Sequence, residues 1–487
     1  MRDLSDIVKA NDVRGLVGSQ LDDRVAAAFG AAFAVVVPPG SGDSGVTGPV
    51  VVGHDMRDSS PGLAAAFAAG VTSRGRDVVL IGLCSTDGLY YASGALDAPG
   101  VMFTASHNPA GWNGMKLCRS GARPIGLDSG LGEIRDAAQA LLDDPASLPS
   151  VADPARGPGH VSHRDTLPGY AAHLRGLVDL GGSRPLKVVV DAGNGMAGRT
   201  VPAVLGHAAG LPPLPIEVVP LYFELDGTFP NHEANPLDPE NLRDLQAAVP
   251  AHGADLGLAF DGDADRCFVV DERGEPVTPS AITALVAGRE IAKERAAGRP
   301  ATVIHNLITS RVVPEVIRES GATAVRTRVG HAFIKVEMAA RDAVFGGEHS
   351  AHYYFRDFWF ADTGMLAALH VLAALGEQDG PLSRLVAGYE RYTASGEINS
   401  TVADVAAATE RVERAFAERP GVVLDSLDGL TVSNDGDAAR DAGEGMWWFN
   451  LRPSNTEPLL RLNAEASDPA TMAKIRDEVL AIVRTPA

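Results

Sequence analysis

Residues 254–271 read ADLGLAFDGDADRCFVVD: an apolar run, a loop carrying three aspartates, and a second apolar run. A polar loop after a short β-branched run marks the carboxyl end of a buried strand, where functional loops of α/β sheets collect. The same grammar recurs in GPVVVGHDMR (48–57), RDVVLIGLCST (76–86), GVMFTASHNP (100–109) and LKVVVDAGNGMAG (186–198), with Ala-rich helical segments such as residues 61–72 between them. This alternation predicts an α/β chain with mostly parallel strands buried on both faces.

Length and charge narrow the class. A chain of 487 residues exceeds one compact core and fits about three or four domains. Its formal net charge of −20 argues against a nucleic-acid binder, which needs Lys/Arg stripes for phosphate backbones. An anionic small substrate remains compatible, because screening over about 10 Å leaves a pocket governed by its own cations. Three scattered cysteines, Cys84, Cys118 and Cys267, make neither a disulfide framework nor a zinc site and suit a reducing cytoplasm. The charged N-terminal residues lack the apolar segment of a signal peptide, and the Ala-rich stretch 26–37 is too short to span a bilayer. Stretches rich in Pro, Gly and small residues at 143–159, and turn-like residues at 272–279, mark seams, and a third lies near 388–397. Beyond the last, short strands and a final helix are expected, with Asp468 as its N-cap, Pro469 at its first position, and Met472, Ile475, Val479, Ile482 and Val483 on one face.

Four constellations carry chemistry. In DGDADR, Asp261, Asp263 and Asp265 alternate with small residues, so in an extended chain all three carboxylates point one way. Like charges on one face call for a cation, and hard oxygen ligands favour Mg²⁺ or Ca²⁺. An EF-hand would place a carboxylate at its twelfth position, where Glu272 falls, but Arg266 stands where that loop needs Gly and Cys267 onward reads as a strand. In VMFTASHNPAGWNGMKL (101–117), Ser106 and His107 end an apolar run ahead of Lys116; a phosphorylated Ser106 would complete an octahedral Mg²⁺ shell and explain the cations nearby. A Ser–His hydrolase would need a GxSxG elbow that is not present around Ser106, and a plain strand-ending turn needs no Lys. In FGGEHSAHYYFRDFWFADTG (345–364), Glu348, Ser350 and His352 alternate and suit adjacent sugar hydroxyls, as a half-exposed polar strand also would. In NLRPSNTEPLLRLNAE (450–465), Arg452 and Arg461 bracket Ser454, Asn455 and Thr456, a set able to cradle a phosphate or to form an ordinary turn.

TASHNP, DGDADR, GEHSAH and RPSNTEP, in that order over almost the whole chain, resemble the signature loops of the α-D-phosphohexomutases, and the GEHSAHYYFRDF form is most similar to the bacterial phosphomannomutase branch. The resemblance implies four domains around a central cleft, over 1–155, 156–272, 273–388 and 389–487. Three would have mixed or parallel sheets flanked by helices, and the smaller C-terminal one would be α+β. By this resemblance Ser106 is the phosphoserine, which holds Mg²⁺ together with Asp261, Asp263 and Asp265. Arg14, His107, Lys116 and His352 would manage charge and protons. Arg266, Gly330, His331, Glu348 and Ser350 would contact substrate, and Arg452, Ser454, Asn455, Thr456 and Arg461 would clamp the phosphate not being transferred.

The implied activity is reversible conversion of mannose 6-phosphate to mannose 1-phosphate, primed by a hexose 1,6-bisphosphate, in a cytoplasmic monomer or homodimer without membrane or nucleic-acid partners. Rival readings are a dual-specificity or glucose-selective mutase, a metal-dependent sugar phosphatase, and a silent sugar-phosphate binder. Two departures from the pattern stand out: HNLITS (305–310) replaces a DVK/DVR stretch and its cation, and Ala351 replaces a Gly of other branches.

Overall fold

The computed structural model describes residues 3–40, 48–144, 147, 157–434, 445–453 and 459–485. Two compact units result: Met1–Pro279 with Met338–Phe345 and Ser350–Leu385, and Ser280–Glu337 with Gly346–His349 and Val386–Ala487.

The first unit holds two complete sheets. One is seven-stranded, in the order Val13–Leu16, Trp112–Arg119, Gly100–Phe103, Val50–His54, Val78–Leu83, Val161–His163, with Arg123–Pro124 paired to Trp112–Arg119. Its edge strand Val161–His163 lies past the 155/156 boundary expected above and runs parallel to Val78–Leu83. The helices Asp23–Val36 and Ser60–Ser73 press together on a core that includes Phe29, Phe33, Phe67 and Phe103. Their backbones meet so closely that a Cβ on Gly30 would stand 2.1 Å from the Phe67 carbonyl oxygen, so only glycine fits.

The second sheet runs Pro276–Val277, Cys267–Asp271, Leu256–Phe260, Leu186–Asp191, Ile216–Leu221. Both sheets are mixed rather than mostly parallel, for one reason. The strands Gly100–Phe103 and Leu256–Phe260 each return through a short loop to an antiparallel neighbour, Trp112–Arg119 and Cys267–Asp271. A short loop joins only antiparallel strands. Those two loops carry Ser106 and the aspartate trio. The same unit contains the antiparallel pair Tyr353–Phe355 and Ala361–Asp362.

In the second unit, Thr302–Asn306 pairs in parallel with Thr323–Thr327. Its C-terminal part is a five-stranded, wholly antiparallel sheet in the order Thr393–Thr401, Leu459–Ala466, Trp447–Pro453, Leu430–Asn434, Val422–Asp425. The helices Val405–Ala417 and Pro469–Val483 share its core. The final helix starts as the sequence indicates: Asp468 Oδ1 accepts from the N–H groups of Ala470 and Thr471 at 3.0 and 2.9 Å, a cap worth about 1 kcal/mol. Met472, Ile475, Val479 and Val483 are buried and Ile482 half-buried.

Candidate active site

In the first unit the two hairpin loops meet. Ser106 takes φ +51°, is 3% exposed, and donates from Oγ to Asp261 Oδ2 at 2.9 Å. His107 Nδ1 stands 3.2 Å from the same Oγ and 2.7 Å from Arg266 Nη2. Gly262 permits this approach, because a Cβ there would lie 2.5 Å from the Ser106 carbonyl oxygen. The three aspartates converge within 4.8 Å, though not by extended alternation: residues 261–266 turn, with Ala264 at φ +59°. Glu272 is engaged elsewhere, accepting from the Ser383 hydroxyl at 2.5 Å and its N–H at 3.0 Å, which removes the EF-hand alternative.

Cations surround the trio. Lys116 Nζ donates to Asp263 Oδ2 at 2.7 Å and to Asp265 Oδ2 at 2.5 Å. Arg266 Nε donates to Asp261 Oδ2 at 2.9 Å, so its head is turned to the aspartate loop and His107. Arg14 Nη1 donates to the Ala105 carbonyl at 3.0 Å and to the Asn108 side chain, while Asp12 holds its Nε. His352 Nε2 lies 3.8 Å from Asp265 Oδ1 and its Nδ1 is 2.9 Å from Ser350 Oγ.

Burial and crowding divide the trio electrostatically. Burial, with Asp263 and Asp265 as like neighbours, pushes Asp261 up to about 7 against the pull of Arg266. Burial works the same way on Asp263 and Asp265, but Lys116 brings both below the usual carboxylate value. His107 falls to about 3, through burial first and then Arg266 and Arg14, and so stays neutral. Among the described residues, the buried Oδ1 atoms of Asp263 and Asp265 have no hydrogen-bond partner. An orphaned buried carboxylate oxygen is costly. A hard divalent cation fits this all-oxygen set and would satisfy both.

The second unit holds Glu348, Gly330, Arg452 and Arg461, which the sequence assigned to sugar and phosphate contacts. Glu348 is buried and accepts at Oε1 from Asn306 Nδ2 and from the Gly330 N–H, both at 3.2 Å. Gly330 has φ +133° and precedes the helix His331–Arg341. Its neighbour Val329 donates to Asp428 Oδ2 at 3.0 Å, and the same carboxylate oxygen stands 3.7 Å from Arg452 Nη1. Arg452 and Arg461 are cross-strand partners with Glu397 between their heads, at 3.9 and 3.3 Å. Ser454, Asn455 and Thr456 lie outside the described residues. The loop after Glu348 turns, with Ala351 at φ +64°, in place of the expected straight alternation.

Models of the phosphoglucomutase/phosphomannomutase α/β/α domains I, II and III match residues 5–141, 168–274 and 278–392, and that of the C-terminal domain matches 397–482. The chain belongs to the phosphoglucomutase/phosphomannomutase family. Among its mutase relatives, a Salmonella typhimurium protein named phosphomannomutase is 40% identical over 475 residues, covering 97% of each chain. A Xanthomonas campestris protein named phosphohexose mutases is 40% identical over 472 residues, 96% of this chain and 97% of that one. The crystal structure of a family protein from Burkholderia thailandensis superposes with a TM-score of 0.81 at 30% identity, covering 100% of this chain and 99% of that chain.

Three buried side chains around this site escaped the sequence reading. Arg57, 2% exposed, donates to the carbonyls of Pro109 and Trp112 from Nη1 at 2.9 and 3.0 Å, and of Ser106 and Asn108 from Nη2 at 3.0 and 2.6 Å. One guanidinium thus pins the whole serine loop. Thr86 binds the aspartate loop twice, Oγ1 to Asp263 Oδ2 at 2.6 Å and N–H to the Asp263 carbonyl at 3.0 Å. Asp87, pushed up to about 6 by burial, accepts from the hydroxyls of Tyr170 and Thr363 at 2.7 Å each, and from Ser85. The signal was present in GHDMR and LCSTD, polar residues that close two apolar strands.

Proposed function

We propose that the protein interconverts mannose 6-phosphate and mannose 1-phosphate through a phosphorylated Ser106. What supports this most is the meeting of Ser106 Oγ with Asp261 at 2.9 Å inside a buried trio that Lys116 only partly neutralises. Mg²⁺ held by Asp261, Asp263, Asp265 and a phosphoserine oxygen would offset charge on the transferring phosphoryl group. The chain's own groups do the rest. Arg57 and Arg14 hold the serine loop so that Oγ keeps one direction, and Lys116 would offset charge spread over the equatorial phosphoryl oxygens.

In the first half-reaction the P–Oγ bond of phosphoserine breaks, a P–O bond to the free sugar hydroxyl forms, and that hydroxyl's proton passes to a base, for which His352 is our assignment. The departing Ser106 Oγ takes up a proton to become the free hydroxyl again. The hexose 1,6-bisphosphate then turns and its other phosphoryl group returns to Ser106. Arg452 and Arg461, with residues 454–456, would grip whichever phosphate is idle, and Glu348, Ser350, Gly330 and His331 would read the sugar. We take the domains to be 1–155, 156–272, 273–388 and 389–487, and the site of action to be the cytoplasm, in keeping with three free buried cysteines and, among the described residues, no helix long and apolar enough to cross a membrane. Kinetics on mannose 1-phosphate and glucose 1-phosphate side by side, with release of inorganic phosphate followed in parallel, test the reading. A tenfold or greater preference for glucose would overturn the sugar assignment, and phosphate release without isomer would overturn the mutase mechanism.

A further inference from the structure

The second unit contains a crevice of about 400 Å³, lined by none of the residues assigned above to the phosphohexose reaction. It lies on the opposite face of the strand Thr302–Asn306 from Glu348: Asn306 reaches Glu348, whereas His305, one residue earlier, lines the crevice with its parallel partner Arg326. Across from them stand Thr431 and Ser433, whose intervening neighbour Val432 points into the C-terminal core.

The charge on these walls runs against the rest of the molecule. In a chain of net charge −20, the lining has three guanidiniums, Arg311, Arg318 and Arg326, and one carboxylate, Asp425. Asp425 pairs with Arg326. Glu315 stands 3.7 Å from Arg311 Nε but also binds Arg391 and Tyr392, and Arg318 is exposed. The walls are fixed from behind, because the buried Glu465 accepts from the Arg311 N–H at 2.9 Å and from Trp448 Nε1 at 2.7 Å. His305 turns Nδ1 to the Asn306 carbonyl at 3.0 Å, and burial, with Arg326 and Arg318, lowers it to about 4. It therefore donates at Nδ1 and offers a neutral acceptor at Nε2.

We propose that this crevice is a second ligand site, for a small organic diphosphate. Guanidiniums on two elements of one wall match two linked phosphates in bidentate fashion, and the hydroxyls of Thr431 and Ser433 supply donors opposite. The volume exceeds what a bare phosphate fills and lies in the range of small-molecule pockets. Leu307, Pro314, Val423 and Trp448 give the organic part an apolar bed. Recognition of a single hexose phosphate would not require three cations.

Calorimetric titration of the full-length protein with ADP and, separately, with inorganic pyrophosphate tests the site. Arg318→Glu, an exposed change, and the double variant Arg318→Ala/Arg326→Ala are compared with wild type, with circular dichroism as the check on folding. The expected result is saturable binding of both probes by wild type, tenfold or more weaker in both variants, with mutase kcat and KM unchanged in Arg318→Glu. Absence of binding to wild type, or equal affinity in Arg318→Glu, overturns the proposal. Binding of pyrophosphate alone overturns its organic part. Should the double variant misfold, Arg318→Glu with Ser433→Ala carries the same decision.

Discussion

The polar groups of the two units are held in different ways. Around Ser106, nearly every charged side chain is buried and fixed by several short contacts: Arg57 by four carbonyls, Lys116 by two carboxylates, Asp263 by Thr86 and Lys116. Around Arg452 the pairs are long, 3.7 and 3.9 Å, and Arg461 is a third exposed, facing Glu397 at 3.3 Å. Low dielectric strengthens the first set and screening weakens the second. Under the proposed function, the group assigned to make and break bonds is thus preorganised, while the groups assigned to accept a phosphate from either end of a sugar are held by partners that are easily exchanged.

Substitutions should sort along that divide. The largest effect is expected from Asp263→Asn, which should cost at least about 10³-fold in kcat with an unchanged circular dichroism spectrum; normal turnover would erase the contrast between the units. Next comes Arg57→Ala, which strands a buried Asp55 carboxylate 3.3 Å away and frees four carbonyls. Loss of about 3 kcal/mol or more is expected in denaturant unfolding, and a loss below 1 kcal/mol would show that the serine loop does not depend on this guanidinium. Thr86→Val should weaken divalent-ion binding about tenfold, the worth of one hydrogen bond to a charged group, with recovery in Thr86→Ser. Titration of Mn²⁺ followed by electron paramagnetic resonance reads this without turnover. Arg452→Ala should raise KM about tenfold while kcat falls less, the signature of lost ground-state binding; equal loss in kcat and kcat/KM would place Arg452 in the transition state and blur the comparison.

The smallest effect concerns pH. His305 has a folded value of about 4 against 6.5 when free, so the unfolded chain binds the extra proton first. Its neutral burial contributes fully above about pH 6.5, and that contribution is lost as pH falls through 4. His305→Gln should flatten the stability profile across that window, measured by urea unfolding at fixed pH. An unchanged slope would mean that His305 titrates normally.

Much of this was legible in the sequence because its chemistry is local. DGDADR and TASHNP each sit on one loop between two apolar runs, so three carboxylates and a serine gathered at strand ends were visible as motifs. Their meeting was expected from the oxygens a metal shell still needed and from the resemblance, whereas the close approach that permits it, Gly262 clearing the Ser106 carbonyl, shows only in the fold. Extended alternation was the wrong picture for both DGDADR and GEHSAH: the left-handed Ala264 and Ala351 turn the chain, and a two-residue period cannot report a sign change in φ. The parallel bias was overstated because a run of buried β-branched residues reads alike in parallel and antiparallel neighbours, and only the short loop distinguishes them. Arg57 and Thr86 went unseen as site residues because each acts on a loop far away in the chain, and Asp87 because its partners Tyr170 and Thr363 are remote in sequence. Asp263 lies 177 residues from Thr86.

The most direct test of the account is peptide-mapped mass spectrometry of the protein after incubation with a hexose 1,6-bisphosphate and Mg²⁺, then with excess mannose 1-phosphate. One phosphoryl group on Ser106 that is gained in the first step and exchanges with sugar in the second is the predicted result. Isomer formation at the normal rate while Ser106 remains unmodified, or is replaced by Ala, would contradict it.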